Sequence, residues 1–440
     1  MDKKIVLIGA GSASFGPATF FDLNASKVLT GSTIVLYDIN KDKLEMVYEV
    51  VAQDNKTLGN KYNIEQTTDR ATAIKDADFI ICPIEKGDRF ELRWQDNTIP
   101  RKHGSTEMMA ENGGPGGFFH SARQIPEIVR IAKDVKKTCP EAFFINYSNP
   151  MSRICLALKR AIPDLKFVGL CHQIHLLLPH LPRMLNRKLE DLQLTTGGLN
   201  HFAFLLGLKD LTNGEDLMQE FNSKCMEYFK NKWDRFNFAD LTFEVYKRFG
   251  YFPYVGDNHL CEYLQIGSKY TKVQDLIDWI TRMEQGNKGV NAKLIRYYNR
   301  LKKGRYPKRG MFSRGGSGER GIPIIEAIIE DKNSHEVAVN IPNNGIINNL
   351  PQDLVIECSA IVNKDGVHGI KLGNIPKNIA SILRIEASIQ DVCVEAILKE
   401  SKDLAIACLA MDVNCGSFEM AEAIYNEMTE LQKKYLPNFK

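Results

Sequence analysis

Five short apolar runs in the first 170 residues, spaced apart by helical patterns, constrain this chain more than any other feature of it. They are Lys4–Ile8, Thr33–Tyr37, Asp78–Cys82, Ala142–Asn146 and Lys166–Leu170. Near-continuous apolar runs of this length suit parallel strands, whose crossover helices cover both faces of the sheet. Between the runs, Leu44, Val47, Val50 and Val51 share one face of a helix over 41–58. Ile125, Ile128, Val129, Ile131 and Ala132 do the same over 124–137. Strand and helix in alternation predict an α/β fold with a doubly wound parallel sheet. Past residue 171 the pattern changes. Residues 195–208 read as a strand pair or a strand and turn, 215–301 as mostly helical, and 376–431 as helical. Val337–Ile341 and Leu354–Cys358 read as strands around an Asn343-Asn344-Gly345 turn. Two domains are expected, 1–170 and an α+β domain over 171–440.

Charge and composition narrow the partners. The chain has 440 residues and a formal charge of +3, too small for a field that gathers nucleic acid or a membrane surface. Hydrophobic residues make up 44 %, which excludes disorder as the main state. There is no apolar run of about 18 residues to span a bilayer. The run after Met1-Asp2-Lys3-Lys4 is too short for a secretory leader. The cysteines scatter from Cys82 to Cys415 with no Cys-x-x-Cys pair, so they are expected as reduced thiols in the cytoplasm.

Gly9-Ala10-Gly11-Ser12-Ala13-Ser14-Phe15-Gly16 follows the first run and opens a helix. Glycines there permit a tight turn and close approach of a pyrophosphate, and the helix N-terminus offers N–H groups and a positive dipole end. Ser14 stands where the usual fingerprint has its third glycine. Asp38 closes the second run, where an acid accepts ribose hydroxyls and repels a 2′-phosphate. Gly9, Gly11, Ser12, Phe15 and Asp38 therefore predict a Rossmann-like site for NAD rather than NADP.

Three further motifs fall where parallel strands end, the edge at which open α/β sheets bind ligands. They are Asn146-Tyr147-Ser148-Asn149-Pro150, Gly169-Leu170-Cys171-His172-Gln173-Ile174-His175 and Gly198-Leu199-Asn200-His201. Cys171 and His201 are a thiolate and an imidazole that could share a metal with an open coordination shell. A core thiol and an imidazole bonded to a carbonyl account for the same pair. Val255-Gly256-Asp257-Asn258-His259 reads first as a turn. Glu111-Asn112-Gly113-Gly114-Pro115-Gly116-Gly117 reads as a lid, a wall beside a sugar, or a solvated linker.

Taken together, these pieces resemble glycoside hydrolase family 4, the NAD- and manganese-dependent glycosidases. The resemblance spans nearly the whole chain. It rests on Gly9-Ala10-Gly11-Ser12, Asp38, Asn149-Pro150, Gly169-Leu170-Cys171-His172, Leu199-Asn200-His201 and Gly256-Asp257. Ser317-Gly318-Glu319 and Asn340-Ile341-Pro342-Asn343-Asn344-Gly345 add to it. It implies a second domain similar to the C-terminal domain of lactate and malate dehydrogenases, a homodimer or homotetramer, and a small carbohydrate substrate. It also implies a divalent metal, Mn2+ or another, on Cys171 and His201. NAD would oxidise C3 of the sugar. A base would remove the acidified C2 proton, the glycosidic oxygen would leave, and water addition and reduction would complete the cycle. This family lies outside the two-carboxylate glycosidase scheme. By the family pattern Asp257 is the base and Asn149 bonds the C2 and C3 hydroxyls. Glu111 belongs with the substrate contacts. The phospho-glycosidase members carry Asp directly after the metal Cys. His172 stands there instead, which implies an unphosphorylated α-glycoside or α-uronide. His172 is the expected leaving-group acid and His175 the reserve, since an imidazole donates near neutral pH.

The segment 293–320 holds ten Lys/Arg and one acid, Glu319. It reads as a mobile surface segment, with contact to a uronate carboxylate as the sharper option. A 6-phospho-glycosidase of the same family is one alternative. An NAD-dependent 2-hydroxyacid dehydrogenase is another, though its His/Asp/Arg trio has no evident counterpart, and a non-catalytic NAD sensor is the third.

Overall fold

All five apolar runs form strands. The computed structural model describes residues 2–12, 15–230, 238–307, 310–311 and 318–440. Six strands of the first half are β1 (Lys4–Ile8), β2 (Thr33–Tyr37), β3 (Asn63–Thr67), β4 (Phe79–Cys82), β5 (Phe143–Asn146) and β6 (Phe167–Gly169). They lie parallel in the order β3-β2-β1-β4-β5-β6, with Lys4 beside Thr33 and Ile5 beside Phe79. The order reverses at β1, so a ligand crevice opens beyond its C-terminal end.

β3 has no apolar run to announce it. Its sequence is Asn-Ile-Glu-Gln-Thr, and it sits at the open edge, paired to β2 alone. An edge strand needs little apolar surface and is protected by polar side chains.

The second half continues the same sheet. β7 (Leu192–Leu199), β8 (Phe202–Asp210), β9 (Ser334–Pro342), β10 (Val355–Asn363) and β11 (Gly366–Gly369) pair antiparallel. β6 bonds to β9 with Gly169 opposite Asn340, so the sheet runs unbroken from β3 to β8. β9 and β10 meet at Pro342 and Val355, flanking the expected Asn343-Asn344-Gly345 turn. Beside β7 and β8, Phe229 stacks on Phe252 at 5.8 Å, and Phe221, Phe238 and Tyr246 meet Phe252 edge-on. Each such ring buries roughly 150–250 Å², so this small aromatic core anchors the helices that carry the 255–262 turn.

The glycine-rich stretch after Glu111 is neither lid nor solvated linker. Its helix spans Gly114–Thr138 rather than 124–137, and residues 107–125 are buried without a break. Glycine is required by packing: Gly114 adopts φ +74°, and a Cβ on Gly117 would stand 3.1 Å from the Asn112 carbonyl carbon. Pro115 occupies the first turn, where its missing N–H costs nothing. The basic segment begins as the end of a helix over Val273–Lys302, while 308–309 and 312–317 lie outside the described residues. Among the described residues no helix is long and apolar enough to cross a membrane.

Candidate active site

The turn after β1 is built as a dinucleotide turn requires. Gly9 takes φ +78°, a conformation glycine adopts without a Cβ penalty. Gly9 and Ala10 both donate to the Tyr37 carbonyl, at 2.8 and 3.0 Å, which ties the turn to the end of β2. Asp38 then accepts from Gly11 N and Asn40 N, each at 2.8 Å. Gly9, Gly11, Ser12 and Asp38 are thus brought together, with the exposed Ile39 alongside. The Phe15 side chain lies outside the described residues.

The loops after β5, β6 and β7 converge on a second point. Asn149 precedes a cis peptide bond to Pro150, and its Oδ1 is buried without a hydrogen-bond partner. Cys171 follows β6. His201 sits in the turn joining β7 to β8 with φ +58°. Its Nε2 lies 3.0 Å from Cys171 Sγ, and Asn112 Nδ2 donates to its Nδ1 at 2.8 Å. Two residues thirty positions apart therefore form a contact pair.

Burial and its neighbours set the charge states here. Burial, with the nearby Glu357 charge, pushes the Cys171 thiol well above its ordinary range, so without a cation it stays protonated. Burial, and then His259, depress His201 and keep its imidazole neutral, the form that binds metals. Burial alone would raise Glu111, but Arg93 and His259 outweigh it and hold that carboxylate ionised. Arg93 Nη2 is 2.6 Å from Glu111 Oε1. An atom from each of Glu111, His201 and His259 lies within 4.8 Å of the other two.

The remaining predicted residues take separate places. His172 stands at the rim, 67 % exposed, with Nδ1 3.4 Å from Glu319 Oε1. Glu319 raises its pKa, which favours a proton donor near neutrality. His175, lowered by burial, lies beside Gly318. Asp257 is turned to a helix end instead. Its carboxylate accepts from Ala239 N, Leu241 N, Thr242 N and Thr242 Oγ1 at 3.2, 2.8, 2.8 and 2.6 Å. It joins none of the contacts around Cys171 and His201 among the described residues.

Several members of the site carry no sequence signal that a single chain reveals. Glu357 lies buried on β10 and accepts from Asn200 Nδ2 and Tyr254 Oη, both at 2.7 Å. Arg93 is an ordinary helical Arg in sequence. Glu262 follows His259 by three residues, and that i, i+3 spacing on a helical turn is the one cue that could have found both.

Two family models cover this chain: Family 4 glycosyl hydrolase over residues 4–186, and its C-terminal domain over 196–415. The chain belongs to glycoside hydrolase family 4. An α-glucosidase of Erwinia rhapontici is 37 % identical, covering 94 % of each chain. An α-galacturonidase of Thermoanaerobacterium saccharolyticum is 28 % identical over 100 % of this chain and 97 % of its own. A 6-phospho-α-glucosidase from gut microorganisms, solved with NAD and glucose-6-phosphate, superposes with TM-score 0.85 over 100 % of both chains at 23 % identity. That last likeness fixes the fold of this family 4 chain. Membership makes it a glycosidase and sets aside the hydroxyacid dehydrogenase and the sensor.

Proposed function

We propose that this chain hydrolyses an unphosphorylated α-glycoside, an α-glucoside before an α-uronide, with NAD and a divalent metal such as Mn2+. The observation that carries the reading is the Cys171–His201 contact of 3.0 Å at the sheet edge shared with the Gly9–Asp38 turn. The residues fit both groups. The unpartnered Asn149 Oδ1 can meet a polyol, His201 is held in the neutral form that ligates a cation, and the glycine turn suits a pyrophosphate. When bound, NAD supplies a reversible oxidant for a sugar carbinol and the cation supplies Lewis acidity beside it.

The chain's own groups supply the rest. Cys171 and His201 hold the cation. Asn149 orients the sugar, and the Glu111 carboxylate, held by Arg93, is assigned to the sugar contacts. His172 is the leaving-group acid, with Glu319 favouring its charged form, and His175 lines the same rim. By the resemblance, phospho-glycosidase members carry Asp directly after the metal Cys, so His172 at that place supports an unphosphorylated substrate. The preference for a glucoside follows the 37 % identity to an α-glucosidase against 28 % to an α-galacturonidase. The resemblance gives the C2 proton to Asp257. Its carboxylate caps a helix, so we assign it first to holding the 256–260 turn. The reaction is placed in the cytoplasm, where Cys171 stays reduced, and in a homodimer or homotetramer.

The test is a screen of p-nitrophenyl α- and β-glucosides, galactosides, uronides and their 6-phosphates with NAD, Mn2+ and a thiol reductant. Expected are release from an unphosphorylated α-glycoside, loss on chelation, and solvent deuterium at C2 of the product. Consumption of NAD in proportion to product, or release from 6-phosphates alone, refutes the proposal.

A further inference from the structure

Between the cofactor turn and the Cys171–His201 pair lies the end of β4, and the loop leaving it carries a carboxylate that the proposed chemistry does not use. Ile84 closes on the turn, since a Cβ on Gly9 would stand 3.0 Å from its Cγ2. Ser148 Oγ donates to the Ile84 carbonyl at 2.7 Å, which ties the loop to the stretch carrying Asn149. Glu85 comes next. Its side chain is 28 % exposed, while His120 and Gln124 behind it are buried. His120 Nε2 lies 3.2 Å from Glu85 Oε1, and Gln124 Nε2 donates to the same oxygen.

Both anchors are themselves fixed. A carbonyl only accepts, so His120 Nδ1 donates to Glu111 O, at 2.8 Å. Gln124 Oε1 accepts from Lys86 N at 3.2 Å. Both stand on the buried start of the helix Gly114–Thr138, and both hold Oε1. Oε2 has no hydrogen bond or ion pair among the described residues. Burial would raise the Glu85 pKa, but His120 and Arg89 outweigh it and keep the carboxylate ionised. One oxygen is locked and the other is open to accept from a ligand.

Strand order says which part of a ligand arrives there. Under the NAD-dependent reading, the adenosine ribose meets Asp38 at the end of β2 and the pyrophosphate meets the turn after β1. β4 is one step of about 4.8 Å further on. Beyond its pyrophosphate a dinucleotide carries its second ribose, whose hydroxyls donate. We propose that Glu85 binds the ribose on the nicotinamide side of NAD through Oε2, with His120 and Gln124 as the positioning residues that aim it. The inference rests on the NAD-dependent reading above. Holding that ribose limits where the attached ring can stand.

The test is calorimetric titration of the full chain with NAD and with ADP, which ends at the pyrophosphate. Glu85→Gln keeps one oxygen for the two anchors and turns an NH2 group to the crevice. It should weaken NAD binding roughly tenfold or more, the scale of a hydrogen bond to a charged group, and leave ADP binding unchanged. Wild-type affinity for an NAD analogue lacking the hydroxyls of the nicotinamide-side ribose should fall by a similar factor. Unchanged NAD affinity in Glu85→Gln, or equal loss for NAD and ADP, overturns this inference alone. Equal wild-type affinity for NAD and the deoxy analogue does the same, and that comparison decides should Glu85→Gln fail to fold. Absence of NAD binding by the wild type overturns it together with the reading beneath it.

Discussion

Asp257 offers the sharpest division between a chemical and an architectural role. The carboxylate is 2 % exposed, and both oxygens serve the start of the helix Asp240–Phe249. Three backbone N–H groups and one hydroxyl donate to it, at 3.2, 2.8, 2.8 and 2.6 Å. Replacing an acid cap by Ala typically costs about 0.5–2 kcal/mol. Here the donors are buried, and each one stranded adds about 1–3 kcal/mol. The effects overlap, so Asp257→Ala should lose about 3–5 kcal/mol. Asp257→Asn keeps one acceptor oxygen but turns an NH2 group toward the Leu241 N–H or the Thr242 donors, and should lose about 1–3 kcal/mol. At roughly 2–4 °C per kcal/mol for a large domain, the Asn variant melts a few degrees early and the Ala variant 6 °C or more, by about that scale. The assay pairs thermal unfolding with deuterium exchange at C2 of the sugar, per folded molecule. A cap role predicts lowered melting with exchange retained in Asp257→Asn. An unchanged melting temperature with exchange abolished refutes the reasoning and makes Asp257 the base.

Gly11→Ala would put a Cβ 2.8 Å from Asp38 Oδ2 and 3.1 Å from Lys43 Cβ, driving Asp38 from its place on the turn. NAD binding should weaken by roughly tenfold or more, the worth of one charge-assisted hydrogen bond, with Mn2+ affinity unchanged; equal NAD affinity by calorimetry would count against the turn as the cofactor site. Cys171→Ser should lose Mn2+ on gel filtration while keeping the wild-type melting temperature, and retention of stoichiometric metal would remove Cys171 from the ligand set. Burial raises Glu386 to about 8, with Arg153 opposing and Asp412 reinforcing. Its folded pKa thus lies above the unfolded value of about 4.3, so the folded state holds the extra proton between those values. The stability it confers is full at low pH and is lost as pH rises through about 8. Chemical unfolding at pH 5.5 and 8.5 should show a drop for the wild type that is shallower in Glu386→Gln, and parallel drops would refute the assignment.

The strands and the cofactor turn were legible because their signals are local. Val6, Leu7 and Ile8 are apolar because both sheet faces are covered, and Gly9 must be glycine because its φ is +78°. The Cys171–His201 pair was legible through the resemblance, since nothing in their spacing tells that the β7–β8 turn folds back onto the end of β6. β3 stayed hidden because an edge strand carries too few apolar residues to stand out. The helix over Gly114–Thr138 was read short because helix propensity penalises glycine by about 1 kcal/mol each, whereas tertiary packing demands it there. Glu262 and Glu357 were hidden for a different cause. A buried acid gains its role from donors far along the chain, here the 111–113 amides and the Asn200 and Tyr254 side chains.

Sheet order joins the two halves of the proposed chemistry. The cofactor turn ends β1, with Asp38 one strand to one side on β2, while Cys171 ends β6 on the other side. β4 and β5 lie between β1 and β6, three steps of about 4.8 Å, or roughly 14 Å. A dinucleotide whose ribose meets Asp38 and whose pyrophosphate meets the Gly11 turn must extend its other ring across β4 and β5 to go further. That direction leads to Asn149 at the end of β5 and then to the Cys171–His201 pair. The opposite direction leads only to the polar edge at β3. Under the proposed function, the order of strands therefore sets which end of the cofactor meets the proposed metal ligands, with a cation at Cys171 next to the redox-active ring rather than the adenine.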